Sequence, residues 1–350
     1  MTFRYIGSKA RLVEEIKAHI GLPNGGFFVD AFCGTGAVAE AAAELGWPVR
    51  INDHLASATI ATAARLASVS EAHFGTLGGY QAAVAALNAA RPIHGFIWKE
   101  YSPASKAKVG VERRYFTEVN ASKIDAMRTL IREWSSAGII DEIEERLLIA
   151  DLLSALNRVA NIAGTFGCFL SKWTPQSAES IEVRPRKLKT KKAILEVSIG
   201  DVFNVKVESA DVVYLDPPYT KRQYASYYHI LETVVLGDTP VVEGVCGLRP
   251  WKDRASDFCY KARALNTLSK LIGGMPAERI LLSYSSEGHV GINDLEIELK
   301  KIGQAHNNPL SNIGRYRPNQ TASDAGSKVK EYLIVVQRYL AETMEEGALA

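Results

Sequence analysis

The stretch FFVDAFCGTGAVAEAAAELGWPVRIND, residues 27–53, decides the fold. Its first three apolar residues predict a short strand, and Gly34 and Gly36 then allow a tight turn. The alanine-rich run Ala37–Leu45 favours a helix, and Pro48–Asp53 predicts a second strand that ends in an acid. A strand, a helix and a strand within this length predict a βαβ unit, whose two strands are parallel and whose crossover is right-handed.

The same alternation returns from about residue 195. Four further apolar segments predict strands, namely ILEVSIGDVF, ADVVYLD, ERILLSYSS and KEYLIVVQRY. Residues 260–272 and the segment DLEIELKKIG predict helices between them. We expect the last strand to form a hairpin with residues 313–316.

Between the two α/β parts, the chain is predicted to be mainly helical. Apolar residues in ASKIDAMRTLIREW recur at alternating spacings of three and four, which places them on one helix face and predicts core more than a recognition surface. They are Ile124, Met127, Ile131 and Trp134. The sequence therefore predicts an α/β domain of residues 1–55 and 195–350, interrupted by a helical insertion of residues 56–194.

Composition sets limits on the class of protein. The chain has 350 residues, 47% of them hydrophobic, and a net charge of +2, which neither requires nor excludes a nucleic-acid partner. Its four cysteines are widely spaced and form no CxxC pair, so we expect neither a zinc site nor a disulfide framework. No apolar signal segment or long apolar run occurs, which predicts a cytoplasmic protein, bacterial or nucleoid-associated, without a membrane span.

A second stretch, VVYLDPPYTKRQYASYYHILETVV, carries the chemistry. A buried strand ends at Asp216, and Pro217 and Pro218 prevent the backbone from continuing in either regular element. The prolines leave carbonyl oxygens without ladder partners, so the Asp216 carboxylate and a neighbouring carbonyl can hold both hydrogens of one amino group. Tyr219 offers a flat face on which a base can stack.

The glycine turn DAFCGTG, residues 30–36, suggests a ligand at the carboxyl ends of the strands. No lysine follows it, so a phosphate-binding P-loop is not expected, and the turn suits a ligand with an adenosine and a charged amino acid. Asp30 is placed to accept from an ammonium group and Asp53 from ribose hydroxyls. The alternative is a tight turn that binds no ligand.

Two smaller features carry alternatives of their own. Lys9, in YIGSK, stands at the start of a helix, where the helix dipole disfavours a cation, so a carboxylate partner competes with a solvated surface lysine. Asp201, in IGDVF, is placed to accept from an exocyclic amine while Phe203 covers a ring. An ordinary helix-cap or turn aspartate is the alternative for Asp201.

Taken in this order, YIGSK, DAFCGTG, the acid after the second strand, DPPY and RQYASYYHILET resemble the adenine-N6 DNA methyltransferases of the Dam-like alpha group. The resemblance covers residues 1–60 and about 195–340. In the middle, RRYFTEVNASKIDAMR and RVANIAGTFGCFLSKW are similar to the FokI-type branch. The resemblance implies an α/β fold, with a Rossmann-like methyltransferase sheet and a mainly helical inserted domain for target recognition.

The resemblance also implies S-adenosyl-L-methionine as cofactor, and no metal is expected because hydrogen bonds alone position the amino group. By position, the implied cofactor-binding residues are Tyr5, Lys9, Asp30, Phe32, Gly34, Gly36, Asp53, Asp201, Phe203 and Asp216. The implied catalytic residues are Asp216, Pro217, Pro218 and Tyr219, with Asp216 and the Pro217 carbonyl on the target amino group and Tyr219 on the flipped base.

Basic residues in and after the insertion are the expected contacts to DNA phosphates. They are Arg113, Arg114, Arg184, Arg186, Lys187, Lys221 and Arg222, with Tyr224 beside the last two. The alternative for the run at residues 184–192 is a solvated linker. Residues 315–317 are a further phosphate contact or only a hairpin turn.

These expectations converge on a site-specific DNA methyltransferase that acts on N6 of adenine in duplex DNA. A cognate restriction endonuclease is an expected partner. Two alternatives remain open at this point: an enzyme of the same scaffold that methylates an RNA base, and a DNA-binding module that has lost catalysis. The residues leave the recognition sequence and the oligomeric state open.

Overall fold

A computed structural model describes residues 5–311 and 329–339 of the chain. By their internal contacts these residues form two compact units. The sheet unit comprises residues 8–54, 194–223, 255–311 and 329–339, and the helical unit comprises residues 5–7, 55–193 and 224–254. The helical unit thus takes in residues 224–254, which the sequence placed with the α/β domain.

The sheet unit is built on a mixed sheet, as the α/β pattern predicted. Its strands are β1 (Phe28–Asp30), β2 (Val49–Asp53), β3 (Leu195–Ile199), β4 (Val212–Leu215), β5 (Arg279–Ser285), β6 (Gly303–Pro309) and β7 (Glu331–Arg338). Their order is β3-β2-β1-β4-β5-β7-β6. The first five strands are parallel, whereas β7 runs antiparallel to both β5 and β6. This arrangement is a mixed α/β sheet of the Rossmann-like kind that the sequence predicted.

The strand order brings the acids of the sequence motifs to one edge. β1 pairs with β2 on one side and with β4 on the other, so the chain changes direction in the sheet at β1. Ligands of open α/β sheets bind at such a switch point, outside the carboxyl ends of the strands. Asp30 ends β1, Asp53 ends β2 and Asp216 follows β4, so all three lie at this edge.

Four helices belong to the sheet unit: α1 (Val13–Ile20), α2 (Ala37–Glu44), α12 (Lys261–Gly274) and α13 (Ile292–Lys300). Strand residues such as Val29 and Val213 pack with Leu268 and Leu271 of α12 in one apolar core. The central strands β1 and β4 are buried along their whole length, as expected for parallel strands covered on both faces. They therefore hold the residues that follow them on a rigid frame.

The remaining helices of the described chain form the helical unit: α3 (Ala56–Leu66), α4 (Tyr80–Asn88), α5 (Phe96–Tyr101), α6 (Lys106–Val109), α7 (Glu118–Ser136), α8 (Glu142–Val159), α9 (Pro175–Ala178), α10 (Tyr224–Tyr227) and α11 (His229–Leu236). The predicted apolar stripe of α7, from Ile124 to Trp134, is buried, which confirms that it is core. Asp141 and Glu144 form a capping box at the start of α8.

One expectation about strand pairing falls on residues that the structure does not describe, and one about the cysteines needs correction. The predicted strand partner of β7, residues 313–316, lies outside them; the observed partner is β6, whose GQAHNNP sequence has no strand signal. The second concerns the cysteines, because Cys168 and Cys246 form a disulfide within the helical unit, with Cα atoms 5.1 Å apart. Their wide spacing concealed this pair, since only tertiary folding brings residues 78 positions apart together.

Within the described ranges, no helix combines the length and the apolar character that a membrane crossing needs.

Candidate active site

The loop after β4 carries a buried ion pair. The ladder between β1 and β4 ends where Ala31 N donates to Tyr214 O, so Asp216 stands just past the last paired residue. Lys9 lies in a short 3-10 turn, Lys9–Arg11, and its Nζ is 3.2 Å from Asp216 Oδ1. Lys9 is only 7% exposed, so the alternative of a solvated surface lysine is wrong.

Burial and charge shift the ionisation of this pair. Burial raises the pKa of Asp216 to about 6, although the nearby Lys9 ammonium opposes that rise. Burial alone would lower the pKa of Lys9, but the charges beside it, Asp216 foremost, hold that pKa well above its usual value. Near neutral pH the pair is therefore an ammonium beside a carboxylate that can accept hydrogen bonds.

Tyr219 stands on the same loop, three residues further on. Its backbone carbonyl accepts a hydrogen bond from His289 N at 2.8 Å, which fixes the end of the loop. Its ring lies 5.6 Å from the Tyr284 ring, and Lys9 Nζ is 5.4 Å from the Tyr219 centroid. Pro217 is buried, while Pro218 and Tyr219 are half-buried. The loop thus holds Asp216 and Tyr219 in defined places at one edge of the sheet.

The glycine turn is tied to the end of β2. Gly34 and Gly36 both have positive φ, 50° and 75°, which only glycine adopts without strain. Gly34 N donates to Asp53 Oδ2 at 3.0 Å, so one oxygen of that carboxylate braces the turn. Asp53 therefore stands beside the turn, where a ligand of the turn would meet it.

Asp30, the last residue of β1, is a buried acid with an unsatisfied carboxylate oxygen. It is 1% exposed, and its Oδ1 has no hydrogen-bond partner among the described residues. Burial, and then the negative charges of Asp216 and Asp53, raise the pKa of Asp30 well above its ordinary value. Because an unsatisfied buried carboxylate oxygen is costly, this position is well suited to a ligand that brings a cation or donor.

Three aromatic rings stand near the end of β3 and the β1 turn. Phe203 is 43% exposed and lies nearly parallel to Phe258, at 7° and with 6.5 Å between ring centroids. Phe32 meets Phe258 edge-on at 5.7 Å. Asp201 caps the turn Val202–Asn204 by accepting from Phe203 N at 3.1 Å, so it acts as the turn aspartate of the alternative interpretation. That bond uses Oδ1 and leaves the side chain exposed.

Arg113 requires a correction. It is 2% exposed, pairs with Glu100 at 2.8 Å, and donates to the backbone carbonyls of Gly244 and Val245. A buried guanidinium whose donors are already taken cannot contact a phosphate, so Arg113 is a structural residue. Its neighbour Arg114 is more exposed and pairs with Glu112.

The basic run after α9 is anchored to the helical unit. Lys189 pairs through its backbone with residues on both sides of Ser68, and Arg186 Nε is 2.7 Å from Asp151 Oδ1. Arg184 pairs with Glu182 on the surface, and Lys187 is exposed. Because Arg186 and Lys189 are held by these contacts, the run forms a defined surface and not the freely solvated linker of the alternative.

The residues that follow this loop along the chain are held by hydrogen bonds within their own units. Gln223 exchanges two hydrogen bonds with the Ser256 backbone, and Tyr224 donates its hydroxyl to Ile6 O at 3.2 Å. His229 is buried, which lowers its pKa to about 3, and its Nε2 lies 2.9 Å from Phe166 O. Its imidazole is therefore neutral near pH 7.

The other predicted residues of this region differ in exposure and in surroundings. Tyr5 stacks on Tyr228 at 4.5 Å in the helical unit, so its described ring contacts are structural. Lys221 is exposed, and Arg222 is half-buried with its carbonyl facing Cys259 Sγ at 3.2 Å.

Sequence reasoning missed three residues of the site. They are Phe258 beside Phe203, Tyr284 beside Tyr219, and Glu331, whose Oε2 is 3.3 Å from Lys9 Nζ. Each lies far along the chain from the motif it joins, so no local spacing pointed to it. Among the described residues, no group of three or more His, Cys, Asp or Glu is placed to hold a metal ion.

Comparisons with known proteins agree with this geometry. Residues 5–297 match the family described as D12 class N6 adenine-specific DNA methyltransferase. The chain is 30% identical to the type II methyltransferase M.FokI of Planomicrobium okeanokoites, over 97% of this chain and 53% of that protein. It is 31% identical to the modification methylase StsI of Streptococcus sanguinis, over 96% of this chain and 52% of that protein.

A third relative is covered more fully. The type II methyltransferase M.NlaIII of Neisseria lactamica is 30% identical, over 71% of this chain and 73% of that protein. By contrast, the chain spans about half the length of M.FokI and of StsI. No solved structure matches it.

Proposed function

The chain belongs to the D12 class of N6 adenine-specific DNA methyltransferases, and from that premise we propose that it methylates N6 of adenine within a short duplex DNA sequence. The observation that carries the proposal is the loop after β4, where an ionised Asp216 stands past the last ladder pair with Tyr219 close behind. The family's own substrate favours DNA over the alternative of an RNA base.

We propose S-adenosyl-L-methionine as the methyl donor. The orphaned, buried Oδ1 of Asp30 fits an ammonium group, and Asp53 beside the glycine turn fits ribose hydroxyls. Phe203 and Phe258 offer flat faces to an adenine ring. When bound, this cofactor would supply a methyl group on a positively charged sulfur, and that sulfur would keep the carbon–sulfur bonding pair.

The chain's part in the reaction is to aim and activate one amino group. Asp216 and the Pro217 carbonyl accept the two N6 hydrogens, which turns the nitrogen lone pair out of the base plane and toward the methyl group. Tyr219 stacks on the base, which has to leave the duplex to reach the loop. Asp216, with a pKa of about 6, is basic enough to take the proton that the methylated nitrogen sheds.

The helical unit is the proposed target-recognition part. Five basic side chains remain as proposed phosphate contacts: Arg114, Arg184, Lys187, Lys221 and Arg222. Arg186, held by Asp151, and Tyr224, held by Ile6, are secondary candidates. A cognate restriction endonuclease is a proposed partner, in keeping with the modification methylases among the relatives, and the proposed location is the cytoplasm.

Transfer with radiolabelled cofactor tests the proposal. Purified protein should label mixed-sequence duplex DNA, and digestion to nucleosides should place the label in N6-methyladenine. Asp216→Ala should reduce transfer by at least about a hundredfold, because it removes one of two acceptors, while leaving cofactor affinity within about threefold.

Two outcomes separate the alternatives. Labelling of RNA in preference to duplex DNA would support the RNA methyltransferase, and DNA binding without cofactor binding would support a non-catalytic module. Full turnover by Asp216→Ala would contradict the role of Asp216.

A further inference from the structure

Glu331 reaches the catalytic loop from a strand that runs against the others. It is the first residue of β7 and lies opposite Ser285, the last residue of β5. Because β7 is antiparallel, its first residue stands at the edge where the parallel strands end. Glu331 also lies outside the residues 5–297 that match the family.

One ammonium group lies between two carboxylates at this edge. Lys9 Nζ is 3.2 Å from Asp216 Oδ1 and 3.3 Å from Glu331 Oε2, so neither acid holds it alone. The Lys9 side chain is 6% exposed, and those of Asp216 and Glu331 are 16% and 19% exposed. Charges at such burial interact more strongly than on the surface.

The charge balance of the cluster matters for the reaction. Lys9 with Asp216 alone would form a neutral pair. A neutral pair stabilises only weakly the positive charge that develops on an amino group as it gains a methyl group. A second carboxylate leaves the cluster with one net negative charge. That charge faces the place where positive charge develops, which is the arrangement that stabilises a transition state.

We propose that Glu331 is a positioning residue for methyl transfer: by sharing the Lys9 ammonium, it prevents Lys9 from fully compensating the charge of Asp216 and leaves Asp216 a more basic acceptor for N6. This inference rests on the proposed function for its consequence in catalysis. Its structural premise, the sharing of Lys9, is independent of any substrate.

The groups around Asp216 come from four elements. Lys9 faces it from the 3-10 turn Lys9–Arg11, Glu331 from β7, Asp30 from β1 and Tyr214 from β4. Burial, opposed by Lys9 and aided by Glu331, holds the pKa of Asp216 at about 6. Removing the charge of Glu331 should lower that pKa, because a like charge is lost and Lys9 then serves Asp216 alone.

Titration of the ligand-free protein tests the premise. With ¹³C-labelled aspartate, and with Asp216 assigned through Asp216→Asn, the pKa of Asp216 should fall by about one unit in Glu331→Gln. Glu331→Ala should shift it in the same direction, and Glu331→Asp should leave it near the wild-type value. An unchanged pKa in both Glu331→Gln and Glu331→Ala would overturn the inference.

Glu196→Gln is the matched control. Glu196 lies on β3 of the same sheet and pairs with the buried Arg50 at 2.6 Å, so its loss also takes a carboxylate from a buried cation. Glu196→Gln should leave the titration of Asp216 unchanged. An equal shift in this control would mean that the effect is not specific to Glu331, which would also overturn the inference.

Steady-state kinetics test the consequence. In Glu331→Gln the acid limb of the kcat profile should move to lower pH by about one unit, and kcat on the plateau should fall about three- to tenfold because the acceptor is less basic. KM for the cofactor should stay within about twofold, and Glu331→Asp should restore the profile. A wild-type profile in Glu331→Gln would refute the role in catalysis, whereas an inactive wild-type protein would refute the proposed function and leave the titration to decide the premise.

Discussion

Asp30 and Asp216 follow neighbouring strands, and burial raises the pKa of each carboxyl group. Two buried acids so close together repel each other when both are ionised, although Lys9 pairs with Asp216. Their ionised forms are therefore unfavourable in the ligand-free protein. Groups with such shifted pKa values cluster at functional sites, where a ligand or substrate relieves the cost. At the scale of residues, the site therefore favours positive charge, which both the sulfur of the proposed donor and the methylated amine would carry.

Cofactor binding should release a proton from Asp30. Its raised pKa means that the free protein holds a proton there to higher pH than an ordinary aspartate, and a bound ammonium group favours the ionised form. Affinity should therefore rise with pH above the ordinary aspartate range, by up to about tenfold per unit, until Asp30 ionises in the free protein or the cofactor's own amine loses its proton. Calorimetry in buffers of different ionisation enthalpy measures the released proton.

Asp30→Asn is the control for that measurement. It keeps the shape of the side chain but cannot ionise, so affinity should fall and most of the proton release should vanish. Proton release equal to that of the wild-type protein would show that another group titrates and that Asp30 does not receive the ammonium.

The local sequence pattern predicted the positions of the acids, but it did not predict which distant residues lie beside them in the fold. Asp30, Asp53 and Asp216 stand at strand ends, and parallel strands bring their carboxyl ends to one edge, so their convergence could be predicted. Glu331 and Phe258 could not, because each reaches the site through a strand or loop distant in sequence. The same holds for the buried setting of Arg113, which looks like any surface arginine in the sequence.

At the scale of elements, the helices and strands with strong apolar periodicity were predictable. The stripe of α7 and the strands β1, β2 and β4 lie where the pattern placed them. The edge strand β6 was not predictable, because its Gly303–Pro309 sequence is polar and gains its place by pairing with β7. An edge strand buries little, so its sequence carries little signal.

The adjacent arginines before α7 should behave differently on mutation. Arg113→Ala removes one of the two cations that pair with buried Glu100 among the described residues and leaves Lys108, which should cost about 3–5 kcal/mol of stability. Arg114→Ala, at a half-buried site where the guanidinium pairs with Glu112, should cost much less stability, lower DNA affinity and reduce the salt slope of binding by about one. Thermal unfolding and binding at several salt concentrations measure the two effects. Equal thermal midpoints for the two variants would contradict the structural role of Arg113.

At the scale of the whole molecule, a sheet unit carries the proposed chemistry and a helical unit the proposed recognition. The sequence predicted domain boundaries near residues 55 and 195 because α/β alternation stops near the first and resumes near the second. It did not predict that residues 224–254 join the helical unit, since their helices follow directly on the catalytic loop. The disulfide between Cys168 and Cys246 was hidden for the same reason, as it links that late segment to the insertion.

Mapping of methylated adenine in living cells tests the central claim most directly. The protein is expressed in a bacterial host that has no adenine methylation of its own, with the Asp216→Ala variant as the matched control, and the host DNA is sequenced for N6-methyladenine. In the wild-type culture, adenine in one short sequence should be methylated throughout the genome, and in the control culture no copy of that sequence should be methylated. DNA without N6-methyladenine in the wild-type culture, at protein levels equal to the control, would contradict it.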